Sequence, residues 1–146
     1  MAEVDRTWLG NEKNLVNISY KAWAEVREAA VLTTGYVDSD YVDMGEFDEI
    51  NVGFDVLVTP TLIELDYKIY GSYDTDTWYL NTADIVSSGI IQSVPCEYET
   101  PLASGMISTE PWFVSVPFPY QYAKVAVKCV GSPVGSLCAV VIGGAF

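Results

Sequence analysis

The chain has 146 residues, half of them hydrophobic and 18% charged, with a formal net charge of −13 and no histidine. That is enough apolar material for one packed domain and too much for disorder by low hydropathy. The shortage of Lys and Arg argues against nucleic-acid backbones and anionic membranes as partners, and the lack of histidine removes Ser-His-Asp and Cys-His nucleophilic systems.

Charge is unevenly placed. Residues 1–28 carry four basic and five acidic residues, net −1; residues 29–146 carry three and 15, net −12. This shift predicts a boundary near residue 28, with an N-terminal arm over 1–28 and a β-sandwich domain over 29–146. The first ten residues hold Glu3 and Asp5 and no apolar segment of the kind a secretory signal needs, so cytoplasmic synthesis is expected. Within the arm, Leu15, Ile18, Ala22 and Val26 fit a helical stripe. Ile18, Tyr20, Ala22, Ala24 and Val26 fit strand alternation equally well. Trp8 and Trp23 stand out in this polar stretch as interface candidates.

From residue 29 onward the pattern is β. Short strands are expected over 30–37 and 41–44. Residues 49–58 alternate cleanly, with Ile50, Val52, Phe54, Val56 and Val58 on one face. Residues 62–70 follow, with Ile63, Leu65, Tyr67 and Ile69 on one face. Further strands are expected over 77–80, 89–94, 112–116, 122–130 and 136–142, separated by Gly, Pro, Asn and Asp clusters. Many short strands without a convincing helix predict an all-β fold, an antiparallel sandwich of jelly-roll-like type.

Two pairings can be examined by register. Joining 50–58 to 62–70 as a hairpin would set Asp55 opposite Glu64, which repels; placing the two strands in opposite sheets over one core avoids this. For the last two strands, a hairpin through 131–135 would set Cys129 opposite Cys138, Val127 opposite Val140 and Val125 opposite Ile142, an apolar face throughout. The three cysteines, Cys96, Cys129 and Cys138, are odd in number and lack CxxC spacing or histidine, so zinc is not expected and buried thiols are.

No phosphate-binding loop and no GxGxxG is present, and no cofactor is implied. Twenty acids would permit a paired-carboxylate hydrolase, yet nothing marks one pair over another, so no catalytic residue is assigned and the chain reads as a non-enzyme. Asp38, Asp40, Asp43, Glu46, Asp48 and Glu49 form an acidic run with no basic residue inside it. It reads as a solvated loop or as a surface for a basic partner; calcium is a third option, without EF-hand spacing. The apolar run 139–146 would be an aggregation hazard if exposed, so Val141 and Phe146 are candidates for burial between subunits. The many Tyr and Trp residues read as core or protein interface before sugar platforms.

The order Val31-Leu32-Thr33-Thr34-Gly35-Tyr36-Val37-Asp38-Ser39, then Val42-Asp43-Met44-Gly45, Pro60-Thr61-Leu62, Gly71-Ser72-Tyr73-Asp74-Thr75-Asp76-Thr77-Trp78-Tyr79 and Lys124-Val125-Ala126-Val127-Lys128 resembles the small jelly-roll-like structural proteins of tailed bacteriophages, especially capsid decoration (cement) proteins. The likeness spans roughly residues 29–144, and tail-fibre and baseplate modules share the pattern. It implies a homotrimer bound to the major capsid protein on the outside of the virion, without catalytic residues. The alternative it leaves is a tail module that binds a surface glycan or another tail protein.

Overall fold

The computed structural model describes residues 3–4, 22–58, 61–102 and 111–145. The strands in chain order are β1 Glu3–Val4, β2 Ala22–Ala30, β3 Val37–Asp38, β4 Tyr41–Asp43, β5 Glu49–Leu57, β6 Leu62–Ser72, β7 Tyr79–Leu80, β8 Thr82–Ser87, β9 Ile90–Pro95, β10 Glu97–Pro101, β11 Trp112–Pro117, β12 Tyr122–Gly131 and β13 Leu137–Ala145. There is no helix among the described residues.

The strands form two facing sheets and a separate ribbon. Sheet A runs β1-β4-β12-β6-β10, with β3 also on β12 and β7 also on β6. Sheet B runs β11-β5-β13-β2, and β8 pairs only with β9. The path alternates between sheets: β2 in B, β4 in A, β5 in B, β6 in A, then β10 in A, β11 in B, β12 in A and β13 in B. Two interleaved sheets of four principal strands traced in this way are a jelly roll. The expected all-β sandwich is therefore the fold.

The alternation in β5 decides its place. Ile50, Val52, Phe54, Val56 and Val58 are all buried, facing Leu65, Tyr67 and Ile69 of β6 and Val125 and Val127 of β12 in one core cluster. As the charge argument suggested, β5 and β6 lie in opposite sheets. An aromatic line crosses the core between the edge strands β11 and β10. Trp112 stacks on Phe54 at 5.3 Å, Phe54 meets Tyr67 at 4.4 Å, and Tyr67 meets Tyr98 at 5.0 Å. Its burial removes the Tyr67 phenol from water and pushes its pKa to about 12.

Three expectations are corrected. First, β12 and β13 are not a hairpin. β12 pairs with β6, setting Cys129 opposite Leu65, while β13 pairs with β5, setting Cys138 opposite Val56. The predicted apolar face was the right one, since Val125, Val127, Cys129, Cys138, Val140 and Ile142 are all buried. Those side chains meet across the core, and periodicity cannot distinguish facing from pairing. All three cysteines are buried free thiols.

Second, the boundary near residue 28 is a charge boundary and not a structural one. β2 pairs with β13, and Ala24 and Val26 enter the core. Over Ala22–Ala30, the described part of that stretch, the strand alternative is the one that forms. Arg27 ties its end down, donating through Nε to the Cys138 carbonyl at 3.0 Å and through Nη2 to the Val31 carbonyl at 3.1 Å. The stretch 5–21 of the proposed arm lies outside the described residues.

Third, Ile63 does not join its expected face. The register of β6 on β12 shifts so that Val130 opposes Glu64 and Gly131 opposes Leu62, leaving Ile63 as the extra residue of a bulge. Leu62 takes the core position and Ile63 is exposed. Gly131 is required there, with φ +97° and an added Cβ only 2.3 Å from the Thr61 carbonyl.

Candidate functional site

Sheet B has an outer face on which four strands converge. Outward positions alternate with the core positions, so β5 presents Gly53 and Asp55, β13 presents Ala139 and Val141, β2 presents Trp23 and Glu25, and β11 presents Phe113. With Phe54, Pro111 and Trp112 these residues line an open groove of about 300 Å³. Gly53 is its floor. A Cβ at Gly53 would come within 2.7 Å of a Val141 methyl group, and the missing side chain leaves room for the rings on either side. Trp23 and Phe113 meet edge-to-face across it at 6.3 Å. The groove thus joins two of the sequence candidates, Trp23 and Val141, and adds Trp112 and Phe113.

The β8–β9 ribbon is a second surface. Ser88 and Gly89 both have positive φ, the two-residue turn whose twist matches a hairpin. The two strands pair from Thr82–Pro95 to Ser87–Ile90. Val86 and Ile91, paired with each other on one face, are 73% and 71% exposed; Ile90 and Ile85 emerge on the other. An isolated two-stranded ribbon is marginal in water, and apolar residues on both faces leave its tip with no packed side. The Ser88-Gly89 dipeptide between two β-branched runs was the available sequence signal, and 82–87 escaped the strand reading because Asp84 interrupts its apolar pattern.

The acidic loop does not form one uncompensated patch. Asp38 pairs with Lys124 of β12 at 2.9 Å. Asp43 accepts from the Gly45 amide at 2.7 Å and from the Gln121 side-chain amide. Asp40 is exposed, and its amide donates to the Val26 carbonyl at 3.0 Å. The cation beside Asp38 could not be read from the run itself, because it arrives from a strand more than eighty residues away in sequence, while Asp40, Glu46 and Asp48 are exposed, as a solvated loop would have them. Trp8 and Phe146 lie outside the described residues. Among the described residues, the carboxylates that converge are Glu64, Asp66 and Glu99, on the outer face of sheet A.

The Asp74 loop is a built turn. Ser72 Oγ and Asp74 Oδ1 accept from the amides of Asp74, Thr75, Asp76 and Thr77, and Trp78 Nε1 donates to the Thr75 carbonyl. Backbone N–H groups that favour the ionised form, those of Thr77 and Asp76 first, lower the Asp74 pKa. This matches the tight turn read from Asp74-Thr75-Asp76.

No protein-family model and no curated protein sequence matches the chain. Among solved structures, it is similar to the SPBc2 prophage-derived protein YomS, at 15% identity and a TM-score of 0.45, over 85% of this chain and 92% of that one. It is also similar to a structure described as "CBM4 structure and function", at 11% identity and a TM-score of 0.36, over 89% and 86% respectively. Both likenesses are loose, and the jelly roll rests on the strand order itself.

Proposed function

We propose that the chain is a structural protein of a phage virion, without catalytic activity, that decorates the outside of the head as a trimer and works by adhesion to the major capsid protein. The observation that carries this reading is the β8–β9 ribbon. Ile85, Val86, Ile90 and Ile91 are exposed on a ribbon that meets the core through Ala83 at its base and not at its tip, and burial against a protein surface would supply what the protomer does not. Interfaces that bury about 1,200–2,000 Å² are specific and stable, and a cluster of large aliphatic side chains is a suitable centre for one. The resemblance across residues 29–144 to head decoration proteins supports the same role.

The test is to mix purified protein with capsids that lack it. Saturable, ordered binding is expected, and Val86→Lys with Ile91→Lys should abolish it while leaving the melting temperature unchanged. Failure of the unaltered protein to bind any capsid in a saturable way would sink the head assignment. A stable monomer in light scattering at micromolar concentration would remove the trimer.

The sheet B groove favours a second reading, a tail module that binds a surface glycan. Trp23, Trp112 and Phe113 offer apolar ring surface, and Glu25 and Asp55 offer hydrogen-bond acceptors beside it. Binding on a glycan array that is lost in Trp23→Ala and Phe113→Ala, and retained in the ribbon variant, would select this reading.

A further inference from the structure

Three carboxylates gather on the outer face of sheet A. Glu64 and Asp66 are two residues apart on β6 and so share a face, and Glu99 lies directly opposite Asp66 on β10. One oxygen from each lies within 4.8 Å of the others. Like charges placed directly opposite across a ladder destabilise a sheet, so this arrangement calls for a counter-charge.

The protein supplies little of one. Lys128 lies opposite Asp66 on the other side of β6, but its Nζ stands 3.7 Å from Asp66 Oδ2, beyond hydrogen-bond length. Lys128 also leans over the Tyr36 ring at 4.9 Å. Lys68 is engaged with Glu97 at 3.6 Å and with Tyr36 at 4.3 Å. Asp66 is only 4% exposed, and its Oδ1 is buried with no hydrogen-bond partner. A buried carboxylate oxygen without a donor has lost its solvation with nothing in return unless a proton or a cation meets it.

We infer that Glu64, Asp66 and Glu99 form a binding site for a hard divalent cation of the calcium class. Oxygens within 4.8 Å of one another fit a shell with metal–oxygen distances of about 2.3–2.6 Å, and carboxylates on two adjacent strands can bind in one-oxygen or two-oxygen fashion with water completing the shell. Magnesium needs about 2.0–2.1 Å and a near-ideal octahedron, which side chains fixed by strand register do not readily provide. One carboxylate triad beside a lysine places the affinity in the weaker range of about 10⁻⁴–10⁻³ M. The ion would join β6 to the edge strand β10 and relieve the repulsion between Asp66 and Glu99.

The experiment titrates calcium, and magnesium in parallel, into the full-length protein, read by calorimetry and by melting temperature. Saturable calcium binding with a raised melting temperature is expected, and weaker magnesium binding. Glu99→Gln, at an exposed position, should retain the fold and lose the binding, as should Asp66→Asn if it folds. Asp38→Asn and Asp43→Asn, outside the triad, should bind calcium as the unaltered protein does. Absence of saturable binding overturns the site, as does binding undiminished in Glu99→Gln, which would put the ion elsewhere. A protein that takes no calcium but gains stability on mild acidification overturns it too, since Glu64 and Asp66 would then be sharing a proton.

Discussion

Gly71 sits on β6 where the backbone faces a ring. A Cβ built there would lie 2.1 Å from Tyr120, which in turn stacks on Tyr79 at 5.9 Å and meets Phe118 at 5.3 Å and Tyr73 at 5.0 Å. The ring cluster fills the place a side chain would take. Gly71→Ala is therefore expected to destabilise by about 1–3 kcal/mol through overpacking, seen as a lower urea midpoint at unchanged slope. Phe54→Ala acts in the opposite way, removing the centre of the aromatic line, at a cost of about 3–5 kcal/mol. Asp74 makes a pH-dependent contribution. Its folded pKa is lowered from 3.8, so its stabilisation is present above that value and is lost as pH falls through the lowered one. Asp74→Asn should melt below the unaltered protein at neutral pH, and the two melting curves should converge in strong acid. Equal melting temperatures at neutral pH would show that the turn forms without the carboxylate.

At the scale of elements, the cysteines give a direct check on the sheets. Burial pushes Cys138 up to about 11, and Cys96 and Cys129 are also raised by desolvation. Native protein should react slowly with a thiol reagent at neutral pH and quickly once unfolded; rapid native labelling of Cys129 and Cys138 would contradict the core described above. These strands also show how much was legible. Period-two alternation was enough to assign the inward face of β5 and β12, because a one-residue slip would have put Asp55, or Lys124 and Lys128, in the core; β13 carries no charge, and its face followed from matching its apolar residues to those of β12. Alternation carries no information about which strand is the hydrogen-bonded neighbour, so the β12–β13 pairing was misread. The β10 strand went unread because Glu97 and Glu99 alternate with Tyr98 and Thr100, a pattern as polar as a loop. The sheet B groove was visible only in part. Trp23 stood out by composition, but Phe113 reaches it through the β11–β5–β13 pairing, and that requires the fold.

At the scale of the molecule, the surface divides its chemistry between the two sheets. Lys68, Lys124 and Lys128 are the only cations in residues 29–146, and all three lie on the outer side of sheet A among Tyr36, Tyr70 and Trp78. The outer side of sheet B carries the aromatic groove flanked by Glu25 and Asp55. The two faces suit different occupants, which is why variants in one should leave binding at the other unchanged.

The strand order also sets when the molecule can become itself. In sheet B, β13 lies between β5 and β2 and is hydrogen-bonded along most of its length to both. β2 is among the first strands in the chain and β13 the latest, so β2 has no neighbour in its sheet until residues 137–145 are available. A growing chain on the ribosome can close the local β8–β9 turn early, but it cannot close the sandwich. Nearly every pairing that seals the core joins segments distant in sequence, which places folding among the slow β topologies, on the scale of milliseconds to seconds. During that interval the apolar faces of β5 and β6 wait uncovered, and the load on the folding machinery of the cell is greatest just before synthesis of β13 is finished.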